Sequence, residues 1–319
     1  MKNKQQISSN ISFVMPAFNC DKTISQSLCS IIKGNYKSGD EIIVVNDGSN
    51  DKTQQIVKNI QKKYPFINII NNLKNKGCPA SRNIGIKKAK NQLIFNLDSD
   101  DILVPGSVKK LKKHLIDNNA DVAAFAEIHF FIDRIKNVTH KWVCKSGLFT
   151  LADFLAGPVV PGGNFIYTKS SWERIGGYWE YGRGLHEFWG FELKQIASGS
   201  KFVVMPDSYY YHRYGRDSLY IRESKDEYQS SLMATKMIKP FFHLLHPEDV
   251  AYIKSDIGSK MWFKNFSNHS LRLKNGKLGK TGRIEYLEVT KKRKILKKIS
   301  YFKNKLLDKI KKIKILLNK

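Results

Sequence analysis

Gln92-Leu93-Ile94-Phe95-Asn96-Leu97 runs without a break into Asp98-Ser99-Asp100-Asp101. The first part is an apolar run rather than an alternating one, as expected for a strand whose two faces are both covered in a parallel sheet. The second part sets three carboxylates within four residues. Carboxylates so close repel one another unless a cation or basic groups stand among them. A strand that ends in such a cluster ends in a site rather than in core.

Reading outward, the same grammar repeats. Residues 11–18 read as a buried strand ending at Pro16, and residues 21–34 as a helix with Ile24, Leu28, Ile31 and Ile32 on one face. Glu41–Asn46 is a second apolar strand, followed by the polar turn Asp47–Asp51. Thr53–Tyr64 is amphipathic, Ile67–Asn71 is a short strand, and Gly77–Lys90 is a helix with a Gly/Pro entry. Alternating strands and helices over residues 11–130 predict an α/β fold with a mostly parallel, doubly wound sheet. Ligands in such sheets bind beyond the carboxyl ends of the strands. Asn19, Asp47 and Asp98–Asp101 all fall there.

Residues 131–220 are less regular, with a glycine-rich loop at Gly157–Gly163, an aromatic stretch at Trp172–Trp189 and the run Tyr209-Tyr210-Tyr211-His212-Arg213. Residues 224–270 read as helical. From about Lys291 to Lys319, Ile295, Ile299, Phe302, Leu306, Ile310, Ile313 and Leu317 recur every three or four residues between lysines, a basic amphipathic helix. The expected division is a catalytic unit over 1–220, with about 1–105 for the nucleotide and 106–220 for the acceptor, then a helical extension over 221–319.

The 319 residues are 41% hydrophobic, enough for a core, and carry a net charge of +27. That charge points to a polyanionic partner: nucleic acid, an anionic membrane surface or phosphate-bearing substrates. Cys20, Cys29, Cys78 and Cys144 form no CxxC pair and no zinc spacing, so reduced thiols are expected. Neither a signal peptide nor a run of about 18 apolar residues is found, which predicts a cytosolic protein. The acidic cluster suits a hard divalent ion, Mn²⁺ or Mg²⁺, holding a diphosphate. With no Walker loop and no GxGxxG fingerprint, metal and basic side chains are left to hold phosphates.

Four motifs in order, Pro16-Ala17-Phe18-Asn19, Val45-Asn46-Asp47-Gly48-Ser49-Asn50-Asp51, Ala80-Ser81-Arg82-Asn83-Ile84-Gly85 and Asp98-Ser99-Asp100-Asp101, resemble the family 2 glycosyltransferases of the GT-A fold. The resemblance is strong over residues 11–110, looser to about 220, and absent from the tail. It implies that Asp47 contacts the donor's base, that Pro16, Ala17 and Asn19 line the nucleotide pocket, and that Arg82 is a basic contact to the nucleotide. Asp98 falls near the ribose, Asp100 matches the main metal ligand, and Asp101 supports the acceptor side or the metal. Asn46 departs from the second aspartate of many members, yet an amide can still bond a base edge.

Members usually carry a Glu-Asp pair before an aromatic, the Asp being the general base. Here His186-Glu187-Phe188-Trp189 puts Phe188 at that position, which leaves Glu187 as the base, with Glu192 or His186 behind it. His212 matches a histidine that completes the metal shell, and Arg213 and Arg216 match basic groups on the diphosphate. Trp172, Trp179 and Trp189 are candidates to stack on sugar rings or to be core. The resemblance implies an inverting transfer from a nucleotide-diphosphate sugar, UDP weakly favoured, to a glycan or lipid-linked glycan acceptor in bacterial surface-polysaccharide synthesis. It places the protein at the inner face of the inner membrane, with the basic tail as membrane contact and no specific nucleic acid. The competing classes are a polyanion-binding protein, supported by charge alone, and another nucleotide-sugar enzyme. The latter needs a glycine-rich basic loop, which residues 16–25 lack.

Overall fold

A computed structural model describes residues 10–181, 186–215, 226–266 and 270–287. The first half follows the expected alternation: β1 (Ile11–Ala17), α1 (Ile24–Ile32), β2 (Glu41–Asn46), α2 (Thr53–Lys63), β3 (Ile67–Asn71), α3 (Cys78–Lys88), β4 (Leu93–Asn96) and α4 (Ser107–Asp117). The second half begins with the long β5 (Val122–Phe131). It continues with β6 (Val138–Val143), β7 (Gly147–Leu148), α5 (Leu151–Phe154), β8 (Phe165–Thr168), α6 (Lys169–Arg174), α7 (Glu187–Ala197) and β9 (Phe202–Arg213).

One sheet runs through both halves in the order β10 (Arg283–Tyr286), β6, β5, β8, β4, β1, β2, β3, with β9 parallel to β5 and paired to β7. The β4-β1-β2-β3 part is wholly parallel. Pro16 lies inside β1, opposite Val45, rather than ending it. Strand alternation turns its missing N–H toward β4, whose pairing with β1 has already stopped at Val14, so no ladder bond is lost there.

Successive residues of β1 serve opposite faces. Phe13 and Met15 pack with Leu28 of α1, Val57 of α2 and Leu111 of α4; Val14 packs with Ile86 of α3 and with Phe165, Trp189 and Phe191. Helix α3 rides close on the sheet because Gly85 has no side chain: a Cβ there would meet Val14 Cγ1 at 2.6 Å and Val45 Cγ2 at 3.1 Å. That close approach brings Arg82, one turn earlier, against the carboxyl end of β4.

The stretch expected to be helical from 224 to 270 is broken up. It contains α8 (Glu227–Ile238), a 3₁₀ turn (Lys239–Leu244), α9 (Pro247–Lys254) and α10 (Asp256–Asn265), the last capped by Ser255 Oγ accepting from Gly258 N at 3.0 Å. Proline opening α9 and serine capping α10 are the local causes. These helices share one core with α7: Met237, Ile238, Ile253 and Trp262 pack with Trp189. Strand β10 (Arg283–Tyr286) then pairs antiparallel with β6, so the region read as a helical extension also adds a strand to the sheet. The basic helix expected over 291–319 lies outside the described residues.

Candidate active site

The carboxyl ends of β1, β2 and β4 meet as the strand rule requires, but their side chains divide into a scaffold and a working set. Asp101 is fully buried. Its Oδ2 accepts from Asn164 Nδ2 at 2.6 Å and from His212 Nδ1 at 3.0 Å, and its Oδ1 from Arg213 N at 3.0 Å. All its capacity goes into tying the acidic loop to β9 and to the 161–164 loop. These three bonds give Asp101 a positioning role beside the one expected for it toward acceptor or metal. Asn164 Oδ1 also accepts from Asp98 N at 3.0 Å, so this one side chain sets both ends of the cluster.

Arg82 is likewise turned inward. It is 0% exposed, its Nη2 paired with Asp98 and its Nη1 2.5 Å from Glu187 Oε1. Phe188 lies against the guanidinium at 4.3 Å. In this arrangement the guanidinium joins Asp98 to Glu187. Phe188, at the position of the family's base, is the lid on that pair.

Asp47 is also buried. It accepts from Asn72 Nδ2 at 2.7 Å, Lys76 N at 3.0 Å and Gly77 N at 2.9 Å. These bonds shape the loop into α3. Pro16 and Ala17 are buried in β1, while Asn19 is exposed in a left-handed conformation, φ 48°, and accepts from Asn50 N at 3.0 Å. Phe18 beside it is half-exposed, an aromatic face at the strand end that the motif contained but the sequence reading did not assign.

Arg213 does not reach outward. Its Nε donates to Asp100 O at 3.1 Å, its Nη1 to Ile132 O at 3.3 Å and its Nη2 to Gln26 Oε1 at 2.7 Å, over the Phe131 ring at 4.6 Å. It braces the main chain of the acidic loop. Arg216 lies outside the described residues.

Three groups remain for chemistry. Asp100 has its own backbone N–H, and no other residue among those described, as a hydrogen-bond partner for its carboxylate, and burial together with Asp101 and Asp98 pushes its pKa up to about 7. Glu187 has one oxygen on Arg82 and the other, Oε2, unpartnered; burial raises its carboxyl, Arg82 opposes that, and Asp98 adds to it. For His212, burial disfavours the imidazolium, but Asp101, Asp100 and Asp98 outweigh it and hold its pKa up at about 9. It stands as a cation on Asp101, which must lose a proton before it can ligate a metal.

Among the described residues no three His, Cys, Asp or Glu side chains converge as a ready-made metal shell. The donor set nevertheless fits a hard divalent ion. An unpartnered carboxylate strained by two neighbouring carboxylates is relieved by a cation, and Mg²⁺-type ions take one or two protein carboxylates with water and substrate phosphates supplying the rest. The four cysteines are free thiols.

Comparison with known proteins agrees with this fold. The model of glycosyl transferase family 2 matches residues 12–176, and the chain belongs to that family. It is 33% identical over 109 residues to an uncharacterized glycosyltransferase of Haemophilus influenzae, covering 34% of this chain and 43% of that one. Against the poly(ribitol-phosphate) beta-N-acetylglucosaminyltransferase TarP of Staphylococcus aureus it is 34% identical over 115 residues, 35% of each chain. Against WfgD of Escherichia coli, a UDP-Glc:alpha-D-GlcNAc-diphosphoundecaprenol beta-1,3-glucosyltransferase, it is 32% identical over 109 residues, 34% of this chain and 42% of that one. Each match thus spans less than half of the relative's length. Among solved structures, S. aureus TarS 1-349 in complex with UDP-GlcNAc shares the fold, with a TM-score of 0.57 at 21% identity over 72% of this chain and 66% of that one.

Proposed function

We propose that this chain transfers a sugar, with inversion, from a nucleoside-diphosphate donor, a UDP-sugar, to a hydroxyl of a cell-surface glycan. The observation that carries the reading is Asp100, a carboxylate with no partner on another residue, just past the end of β4 among Asp98, Asp101 and His212. Support for UDP comes from the fold shared with TarS, whose structure holds UDP-GlcNAc, and support for a surface glycan from the names of TarP and WfgD. Asp100, with Asp98 and a deprotonated His212 beside it, would hold a divalent ion, which would supply Lewis-acid neutralisation of charge on the leaving diphosphate.

The remaining roles belong to the chain. Phe18 offers its ring to the base, and Asn19 borders the ribose. Glu187 Oε2 takes the proton of the acceptor hydroxyl as that oxygen attacks the anomeric carbon, and single displacement by one base gives inversion. Arg82 keeps Glu187 and Asp98 at a fixed separation. Replacing Glu187 by Gln keeps the shape and removes the base, so kcat should fall about 10²-fold or more while UDP affinity changes little. A rate near wild type would remove Glu187 from this role.

Donor binding is tested by calorimetry with UDP, GDP, CDP and dTDP, with and without Mn²⁺. One diphosphate, UDP, should bind and should need the metal. In Phe18→Ala the affinity should drop by about 1–3 kcal/mol, the worth of one base–aromatic stack. Binding that ignores both metal and Phe18 would overturn the donor site.

No helix among the described residues is long and apolar enough to cross a membrane. Work at the inner face of a bacterial membrane, with the lysine-rich segment 291–319 against anionic lipid, follows from the acceptor class and from about 1 kcal/mol per surface lysine. Vesicle co-sedimentation of the full chain tests it; equal binding to neutral and anionic vesicles would count against it.

A further inference from the structure

A second concavity opens behind the acidic loop. It is a groove of about 640 Å³ between α1, residues 102–105, and the tip of the β5–β6 hairpin. Its lining is mostly apolar, with Ile102, Val104, Phe131 and Tyr211 among the walls. Ile102 is only two residues past Asp100, and the Arg213 guanidinium lies over Phe131 while bonding Asp100 O. The groove therefore shares a wall with the transfer site without being part of it.

The mouth has a different character. Ile135 on the lining is 42% exposed, and Ile132 next along the hairpin is 47% exposed. Lys33 and Arg134 stand on the lining, with no ion-pair partner among the described residues, and Asp133 is the one acid there. Lys136 follows on the same tip. An apolar channel whose rim pairs exposed isoleucines with unpaired cations is what an anionic amphiphile requires: apolar surface for the chain and cations for the head. A sugar chain fits poorly, because an apolar wall leaves hydroxyls unpaired at a cost of about 1–3 kcal/mol each.

We propose that this groove binds the lipid end of the acceptor: a hydrocarbon chain laid along Ile102, Val104, Phe131 and Tyr211, with its phosphate between Lys33 and Arg134. The transferase reading is needed only to call this amphiphile the acceptor; the binding itself stands apart from it.

The test is calorimetric titration of the full chain with decyl phosphate kept below its micelle concentration, beside inorganic phosphate, decanol and phosphatidylglycerol vesicles. No nucleotide is present, so failure of the donor site and failure of the groove are read separately. Wild type should bind decyl phosphate more tightly than either half of the molecule. Cys29→Phe, which fills the groove from the half-exposed face of α1, and Lys33→Glu, a surface change, should each weaken it about tenfold, the worth of two buried methylenes or one ion contact. Equal affinity for inorganic phosphate would mean an anion site only. Binding to vesicles but not to the monomer would mean a bilayer contact. Binding indifferent to both variants would place the amphiphile elsewhere. Each of these three results overturns the proposal.

Discussion

Asp100→Asn should abolish metal-supported binding of UDP and lower transfer by about 10²- to 10³-fold, the usual cost of removing one preorganised charge from a transition state. The argument is one of elimination inside the cluster. Asp101 is consumed by Asn164, His212 and Arg213, and Asp98 by Arg82. Asp100 keeps both oxygens free of any other residue, where Asp98 has one on Arg82, and the amide retains its shape while halving its acceptor capacity. Because burial and two neighbouring carboxylates hold its pKa up to about 7, protons compete with the cation. Mn²⁺ affinity of the wild type should therefore weaken as pH falls from about 8 to about 6, more steeply than an ordinary carboxylate near 4 allows. Calorimetry across that range checks it. A variant that still binds UDP in a Mn²⁺-dependent way would move the metal elsewhere.

Arg82→Met should be the most damaging change to the fold of the site. Removing the guanidinium strands Asp98 and Glu187 beside each other with no cation between them, and breaking a buried pair from one side costs about 3–5 kcal/mol. The stacking of Phe188 on Arg82 at 4.3 Å is lost as well. Urea unfolding should show a midpoint shift of that size, or a chain that does not accumulate. The double variant Arg82→Met/Glu187→Gln should recover part of the loss, because one stranded charge has gone; a single-variant cost within about 1 kcal/mol would show the ion network to be dispensable. The double variant should fold better than the single one and still transfer poorly, which separates the structural share of Arg82 from the chemical role of Glu187.

How much of this was legible beforehand follows from the distance between partners. The strands ending in Asn19, Asp47 and Asp98–Asp101, and the helices between them, were readable because hydrophobic period and turn residues are local signals. β2 and β3 match their expected bounds, and the motifs that carry the family resemblance lie within the matched residues 12–176. The roles of individual site residues were not readable in the same way. Asp47 carries the same carboxyl whether it faces a base or, as here, three donors of the 72–77 loop.

The sequence by itself therefore determined that this protein is an α/β fold with an acidic site at the end of its fourth strand. Apolar runs must be buried and clustered charges must not. Only the tertiary structure decided which charges are paired with one another and which are left open. Arg82 meets Glu187, Asp101 meets His212 and Asn164, and Arg213 meets Gln26, all across long stretches of chain. A charge is spent or free according to neighbours that packing alone brings together.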